Sequence, residues 1–269
     1  MGSAAFLASS GPDAQARPLI VTTIKPLAII AQSAVAEAAD VDYLIPSNQS
    51  PHHYSLPVSA LKKIAQADLV IWVGPAFETR SAKAMAALDS TKRLTAMTSS
   101  GNGAGHDHHH DLAADPHIWL SPGKANDLAA KIQTQLGLPK KAVLSDAQWT
   151  RLTSELALAE GRTYLSHHDA FGHFAAAFGL RVGLTIRDAS GAAQGVKSQY
   201  LLRQSIASAD ASCVLIEPQY LDKDAAVIAA EFDLPSVMID LQGSDQPLNS
   251  HAYADFIAGL VAQFKVCFG

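Results

Sequence analysis

The sequence predicts an α/β protein of two lobes, each a roughly four-stranded, mostly parallel sheet flanked by helices. From residue 19 onward, short β-branched segments alternate with segments of helical periodicity, which is the pattern of parallel sheets covered by helices. The predicted strands fall into two sets of four, with two helical segments between the sets. The chain has 269 residues, 48% of them hydrophobic, and this is enough for one large core or two packed lobes.

Each predicted strand is a short apolar or β-branched run. These runs cover residues 19–23, 41–45, 69–73 and 92–96 in the first half, and 163–167, 181–186, 213–216 and 236–239 in the second. Of the two intervening helices, 122–136 has Ser121 as its N-cap and Pro122 at its first position. The other, 146–160, is closed by Gly161, and we expect it to connect the lobes.

The elements divide the chain into four parts. Residues 1–17 are predicted to be a leader or a disordered N terminus, since 1–16 lack Lys and Arg but end in a small-residue pattern that resembles a signal-peptidase site. The N-terminal lobe spans 18–140, the connecting helix 141–161 and the C-terminal lobe 162–269. Within the first lobe, residues 99–114 are rich in Gly, Ser and His without periodicity, which predicts a flexible loop.

Composition and motifs exclude several classes of function. The formal charge of −5 gives no basic surface for nucleic acid, and no apolar stretch approaches the ~20 residues that a membrane-spanning helix needs. The sequence has no GxSxG, HExxH or Walker A motif, and no GxGxxG opening a helix. We therefore expect a protein that is not an enzyme.

Polar residues near the carboxyl ends of predicted strands are the candidates for chemistry, because ligands of open parallel sheets bind at that edge. Four stand out: His52, His117, His168 and Asp240. Three imidazoles and one carboxylate in a cleft between the lobes form a ligand set that suits zinc.

Each of the four also has an ordinary structural interpretation. His117 alternatively forms a hydrogen bond near Trp119, Asp240 caps its own loop, and His168 with Asp169 caps the next helix. Their convergence at one sheet edge is what favours the metal site over these alternatives.

Six segments carry a resemblance to a known family: QSPHHYSL, ADLVIWVGPAFE, DPHIWLSP, HHDAFGHF, CVLIEPQY and MIDLQG. They resemble, in order and over residues 19–269, the zinc-uptake solute-binding proteins of bacterial ABC transporters, the ZnuA-like group. The resemblance implies a monomeric periplasmic protein that binds Zn²⁺ and delivers it to an ABC permease. It implies His52, His117 and His168 as ligands with Asp240 as the fourth, and the histidine at 168 argues for zinc over manganese.

Further residues have expected roles. Cys213 and Cys267 are the two cysteines, and a single disulfide between them fits an oxidising compartment; the resemblance also supports it. A cluster in the loop, His106, His108, His109 and His110, is expected to bind additional zinc weakly. Glu217 is either a hydrogen-bond partner of a ligand or a structural acid.

Two other functions remain open at this point. A zinc hydrolase would need an open coordination position and a general base, for which Glu217 is the candidate. A periplasmic zinc chaperone without a permease would use the same site and differ only in its partner.

Overall fold

The first half of the chain alternates strands and helices as the sequence predicts. The computed structural model describes residues 16–97, 115–220 and 223–269. The elements of the first half are β1 (Leu19–Ile24), α1 (Lys25–Val35), β2 (Asp40–Ile45), α2 (Val58–Gln66), β3 (Leu69–Trp72), α3 (Ala82–Ala86) and β4 (Arg93–Thr95). Two helices follow, α4 (Pro122–Gln135) and α5 (Asp146–Glu155), with short 3-10 turns at Ile118–Leu120 and Ala157–Ala159.

The second half repeats the alternation. Its elements are β5 (Thr163–His168), α6 (Gly172–Phe178), β6 (Leu184–Arg187), α7 (Val196–Ala209), β7 (Ala211–Ile216), α8 (Asp224–Glu231), β8 (Ser236–Met238) and α9 (Ala252–Phe268). The predicted α/β fold with two four-stranded sheets is therefore confirmed.

The two sheets have the same strand order. One runs β2-β1-β3-β4 and the other β6-β5-β7-β8, and every pairing within them is parallel. Because parallel strands end at a common edge, the loops after β2 and β3 gather at one edge, and those after β5 and β7 gather at the corresponding edge of the second sheet. The predicted ligands His52 and His168 lie at these two edges.

Local sequence signals explain where α4 and α5 begin. Ser121 caps α4 by accepting a hydrogen bond from the Lys124 N–H at 3.3 Å, and Pro122 takes the first helical position, where no N–H is needed. Ser145 and Gln148 form a reciprocal capping box at the start of α5.

Two predicted boundaries were wrong by three residues or more. Helix α5 ends at Glu155 and not at residue 160, because the chain tightens into the 3-10 turn before Gly161. Strand β6 begins at Leu184 and not at 181, since Gly183 passes against the ring of Tyr164, where an added Cβ would lie 2.4 Å from a ring carbon.

A shared hydrophobic core joins the halves. It contains residues from both sheets, and β3 is buried along its whole length. Helix α9 packs against α1 of the first half and β7 of the second. Its residue Tyr253 is fully buried and donates from its backbone N–H to Ser33 Oγ at 2.9 Å. In the described ranges, no helix combines the length and hydropathy required to cross a membrane.

The predicted disulfide is confirmed. Cys213 on β7 and Cys267 in the last turn of α9 are bonded, with their Cα atoms 5.4 Å apart and a sequence separation of 54. The bond ties the end of the chain to the second sheet.

Candidate metal site

Three of the four predicted ligands converge. The ligand-capable atoms of His52, His117 and His168 all lie within 4.8 Å of one another. His52 follows β2, His117 precedes the 3-10 turn Ile118–Leu120, and His168 is the last residue of β5. The Nε2 atoms of His117 and His168 are 3.2 Å apart. The first half thus contributes two imidazoles and the second half one.

The cluster is almost closed to solvent. His52 is 9% exposed, His117 2% and His168 4%. The cavity between them has a volume of about 10 Å³, which is room for about one water-sized sphere. The Phe77 ring lies edge-on to His52 at 4.5 Å, and Trp119 lies 5.2 Å from His117. These aromatic rings pack against both imidazoles and limit the orientations open to them.

Two carboxylates, one of them fully buried, form hydrogen bonds with the Nδ1 atoms of two of the imidazoles. His168 Nδ1 lies 2.6 Å from Glu217 Oε1, and Glu217 is 2% exposed. His117 Nδ1 lies 2.8 Å from Asp115 Oδ1, which also accepts from the His117 backbone N–H at 3.0 Å. An Nδ1–H that donates to a carboxylate leaves the Nε2 lone pair free for a metal.

Glu217 is therefore a hydrogen-bond partner of a candidate ligand, one of the two roles expected for it. Asp115 was missed, although the Asp-Pro-His sequence contains the signal, an acid two residues before a candidate ligand. Phe77 was missed as well.

The surroundings of His52 and His117 favour the neutral form of both imidazoles. Burial, together with the neighbouring His117, His168 and His53, lowers the pKa of His52 to about 2. Burial also lowers the pKa of His117, although its hydrogen bond to Asp115 acts in the opposite direction. For Asp115, burial alone would raise the pKa, but the hydrogen bonds and charge interactions with His117 lower it overall. Neutral imidazole is the form that binds metal.

The structure does not bring Asp240 into the group of metal-capable atoms, which in the described ranges contains the three histidines. Its Oδ1 accepts from the Gln242 N–H at 2.9 Å and its Oδ2 from the Ser244 N–H at 2.5 Å. Both oxygens are thus engaged by the backbone of the loop that follows β8. Capping this loop is the alternative that the sequence allowed for Asp240.

The other described histidines lie outside the group. His53 and His251 are exposed, His167 stacks on Tyr220 at 4.4 Å, and the Nε2 of His173 lies 3.0 Å from the Asp115 carbonyl oxygen. The predicted auxiliary histidines, His106, His108, His109 and His110, fall outside the described residues.

Comparisons with known proteins agree with this architecture. A family model described as zinc-uptake complex component A periplasmic (ZnuA) matches residues 20–267. The high-affinity zinc uptake system protein ZnuA of Yersinia pestis is 28% identical, over 99% of this chain and 96% of that protein.

Solved structures share the fold. The periplasmic zinc binding protein TroA from Treponema pallidum has a TM-score of 0.76 and 18% identity, over 94% of this chain and 99% of that one. A crystal structure of ZnuA has a TM-score of 0.72 and 20% identity, over 93% and 98%. Since the family model spans almost the whole sequence, the chain belongs to the ZnuA family of periplasmic zinc-uptake components.

Proposed function

We propose that this protein is the periplasmic solute-binding component of an ABC importer, which captures one Zn²⁺ between its halves and delivers it to a membrane permease. The observation that carries the proposal is the convergence of His52, His117 and His168 around a small, nearly closed cavity of about 10 Å³. Imidazole nitrogen is a preferred donor for zinc, and the metal–nitrogen distances of about 2.0–2.1 Å fit such a cluster after small adjustments.

The source of the ligands supports a carrier. His52 and His117 belong to the first half and His168 to the second, so the ion is held by both halves at once. Neither half alone offers more than two of the nitrogen donors. The affinity for the ion then depends on the relative position of the two halves. A carrier needs such a dependence, because it must both bind its cargo and release it.

A hydrolase is less well supported. The cavity between the three histidines, about 10 Å³, is small for a substrate beside an ion. Glu217, the candidate general base, is engaged with the Nδ1 of His168 at 2.6 Å. We therefore propose a role in binding without catalysis. A chaperone that works without a permease would use the same site, and a binding assay with the cognate permease separates the two roles.

The cellular setting follows from the same observations. The disulfide fits an oxidising compartment such as the periplasm. We propose that the protein acts there as a monomer, with Zn²⁺ as its cargo and the membrane permease as its partner.

Metal content after competition tests the proposal. Purified protein is stripped with a chelator, dialysed against buffered mixtures of Zn²⁺ and Mn²⁺, and analysed by mass spectrometry. We expect one tightly held zinc per chain and exclusion of manganese, since manganese prefers oxygen donors. A chain that retains manganese in preference, or no metal at all, would contradict the assignment.

A further inference from the structure

Lys25, the first residue of α1, is a buried lysine outside the metal cluster. It is 7% exposed, and its Nζ donates to the Ser244 carbonyl oxygen at 2.5 Å. The charged groups that act on it are Asp240 and Asp245, both from the second half. A positive charge at a helix N terminus opposes the helix dipole, so this lysine needs such compensation. Its contacts therefore join the two halves.

The partner of Lys25 is a short loop, residues 240–244, organised by Asp240. The two oxygens of Asp240 accept from the N–H groups of Gln242 and Ser244. Asp240 thereby binds the N–H of Ser244, the same residue whose carbonyl oxygen accepts from the Lys25 ammonium. The carboxylate, the loop and the lysine form one connected unit.

The loop lies directly on α1. Gly243 has a φ of +59°, and a Cβ added there would come 2.6 Å from Ile29 Cδ1 and 3.1 Å from the Phe256 ring. Glycine suits both the backbone conformation and the close approach. A larger residue would move the loop away from the first half.

The same loop forms part of the metal cavity wall. Leu241 and Gln242 line the cavity, and the Leu241 carbonyl oxygen accepts from Trp119 Nε1 at 3.0 Å. Trp119 in turn packs beside His117. The position of the loop therefore sets how well one side of the cavity is closed.

We infer that Lys25 and Asp240 form an interlobe latch, which holds loop 240–244 against α1 and slows the escape of the ion without Asp240 contacting it. The inference rests on the proposed function for the identity of the ion. It makes both residues positioning residues, whose effect on the ion is transmitted through the cavity wall.

Release kinetics and coordination geometry test the latch separately. Zinc dissociation into excess chelator is followed by stopped flow for the wild type, Lys25→Met, Asp240→Ala and the double variant. The absorption spectrum of the Co²⁺-loaded proteins reports the ligand set, and thermal unfolding reports folding. Lys265→Met is the control, since Lys265 on α9 forms a half-exposed ion pair with Glu155 at the end of α5.

We expect Lys25→Met and Asp240→Ala each to accelerate zinc release about tenfold or more, because a change in closure acts mainly on the dissociation rate. The double variant should release zinc no faster than the faster single variant, because the two residues act as one unit. The Co²⁺ spectra should match the wild type, and Lys265→Met should release zinc at the wild-type rate.

Two results would overturn the latch. A Co²⁺ spectrum that changes in Asp240→Ala alone would show that Asp240 is a metal ligand. An unchanged rate of zinc release in both single variants would show that Lys25 and Asp240 do not affect release. If Lys25→Met does not fold, Gly243→Ala displaces the loop without altering a charge and should also accelerate release. A wild-type protein that binds neither Zn²⁺ nor Co²⁺ would instead contradict the proposed function.

Discussion

Replacement of Glu217 by glutamine tests how the site balances the charge of the ion. Zn²⁺ bound by three neutral imidazoles retains its full double positive charge. The carboxylates of Glu217 and Asp115, which contact His168 and His117, would bring the loaded site to formal neutrality. Glu217→Gln keeps the size of the side chain and an acceptor for His168 Nδ1–H, but it leaves one positive charge without compensation.

The expected loss follows from the burial of Glu217. Substituting such a partner of a metal ligand typically costs about 10–100-fold in affinity. Glu217 is 2% exposed and 2.6 Å from its imidazole, so little water is present to replace its charge. We therefore expect the upper end, about 100-fold, or about 2.7 kcal/mol of binding free energy. The Asp115 side chain is 14% exposed, and Asp115→Asn should lie nearer to about tenfold.

The assay is a competition titration of Zn²⁺ between the protein and a chromogenic chelator. Glu155→Gln is the matched control, because the ion pairs that Glu155 makes in the described part of the chain are partly exposed and lie outside the metal site. Zinc affinity of Glu217→Gln equal to that of this control would refute the charge balance. A loss as large as that of His168→Ala would show instead that the glutamine no longer orients the imidazole.

The remaining predictions concern the ligands, the loop, the disulfide and a buried acid. Alanine at His52, His117 or His168 should weaken zinc binding by about 100-fold or more in the same titration, whereas His53→Ala should not. Deletion of residues 106–110 should leave one tight zinc per chain in calorimetry with a chelator present and remove only weaker binding. Replacing both cysteines by serine should lower the free energy of unfolding by about 4 kcal/mol in urea titrations. An unchanged free energy of unfolding would show that the disulfide does not restrict the unfolded chain appreciably. Burial raises the pKa of Glu78 from 4.5 to about 7, so the folded state holds this proton more tightly than the unfolded state does. The contribution of Glu78 to stability is therefore lost as pH rises through the interval between those values, and Glu78→Gln should reduce that decline in urea titrations from pH 4.5 to 8; an identical decline would assign it to other groups.

Local patterns were enough to predict the sheets and the three histidines. Strand identity follows from β-branched runs, and the strands of a parallel sheet end at one edge, so His52 and His168 could each be placed at such an edge of its own sheet. The predicted cleft between the lobes then brings the two edges together. The disulfide was predictable for a similar reason, because the chain has only two cysteines.

The environment of Asp240 could not be predicted in the same way. A carboxylate just after a strand faces either the site or the N–H groups of its own loop, and the backbone path of residues 240–244 decides between them. That path depends on α1, through Lys25 and Ile29, which lie more than two hundred residues earlier in the chain. A contact of that sequence separation leaves no periodic signal in either segment.

The shared core places a limit on how the ion is released. Helix α9 packs on elements of both halves and one hydrophobic cluster spans them, so a wide separation of the halves would expose core residues. A wide opening is not needed, however, because zinc–nitrogen bonds tolerate deviations of only about 0.2 Å. A displacement of His168 and Glu217 by about 1 Å relative to His52 and His117 would already break the ligand set. Release by a small relative shift therefore fits a protein whose halves share one hydrophobic core. Loop 240–244 contacts both halves, so such a shift would change its contacts with α1 first.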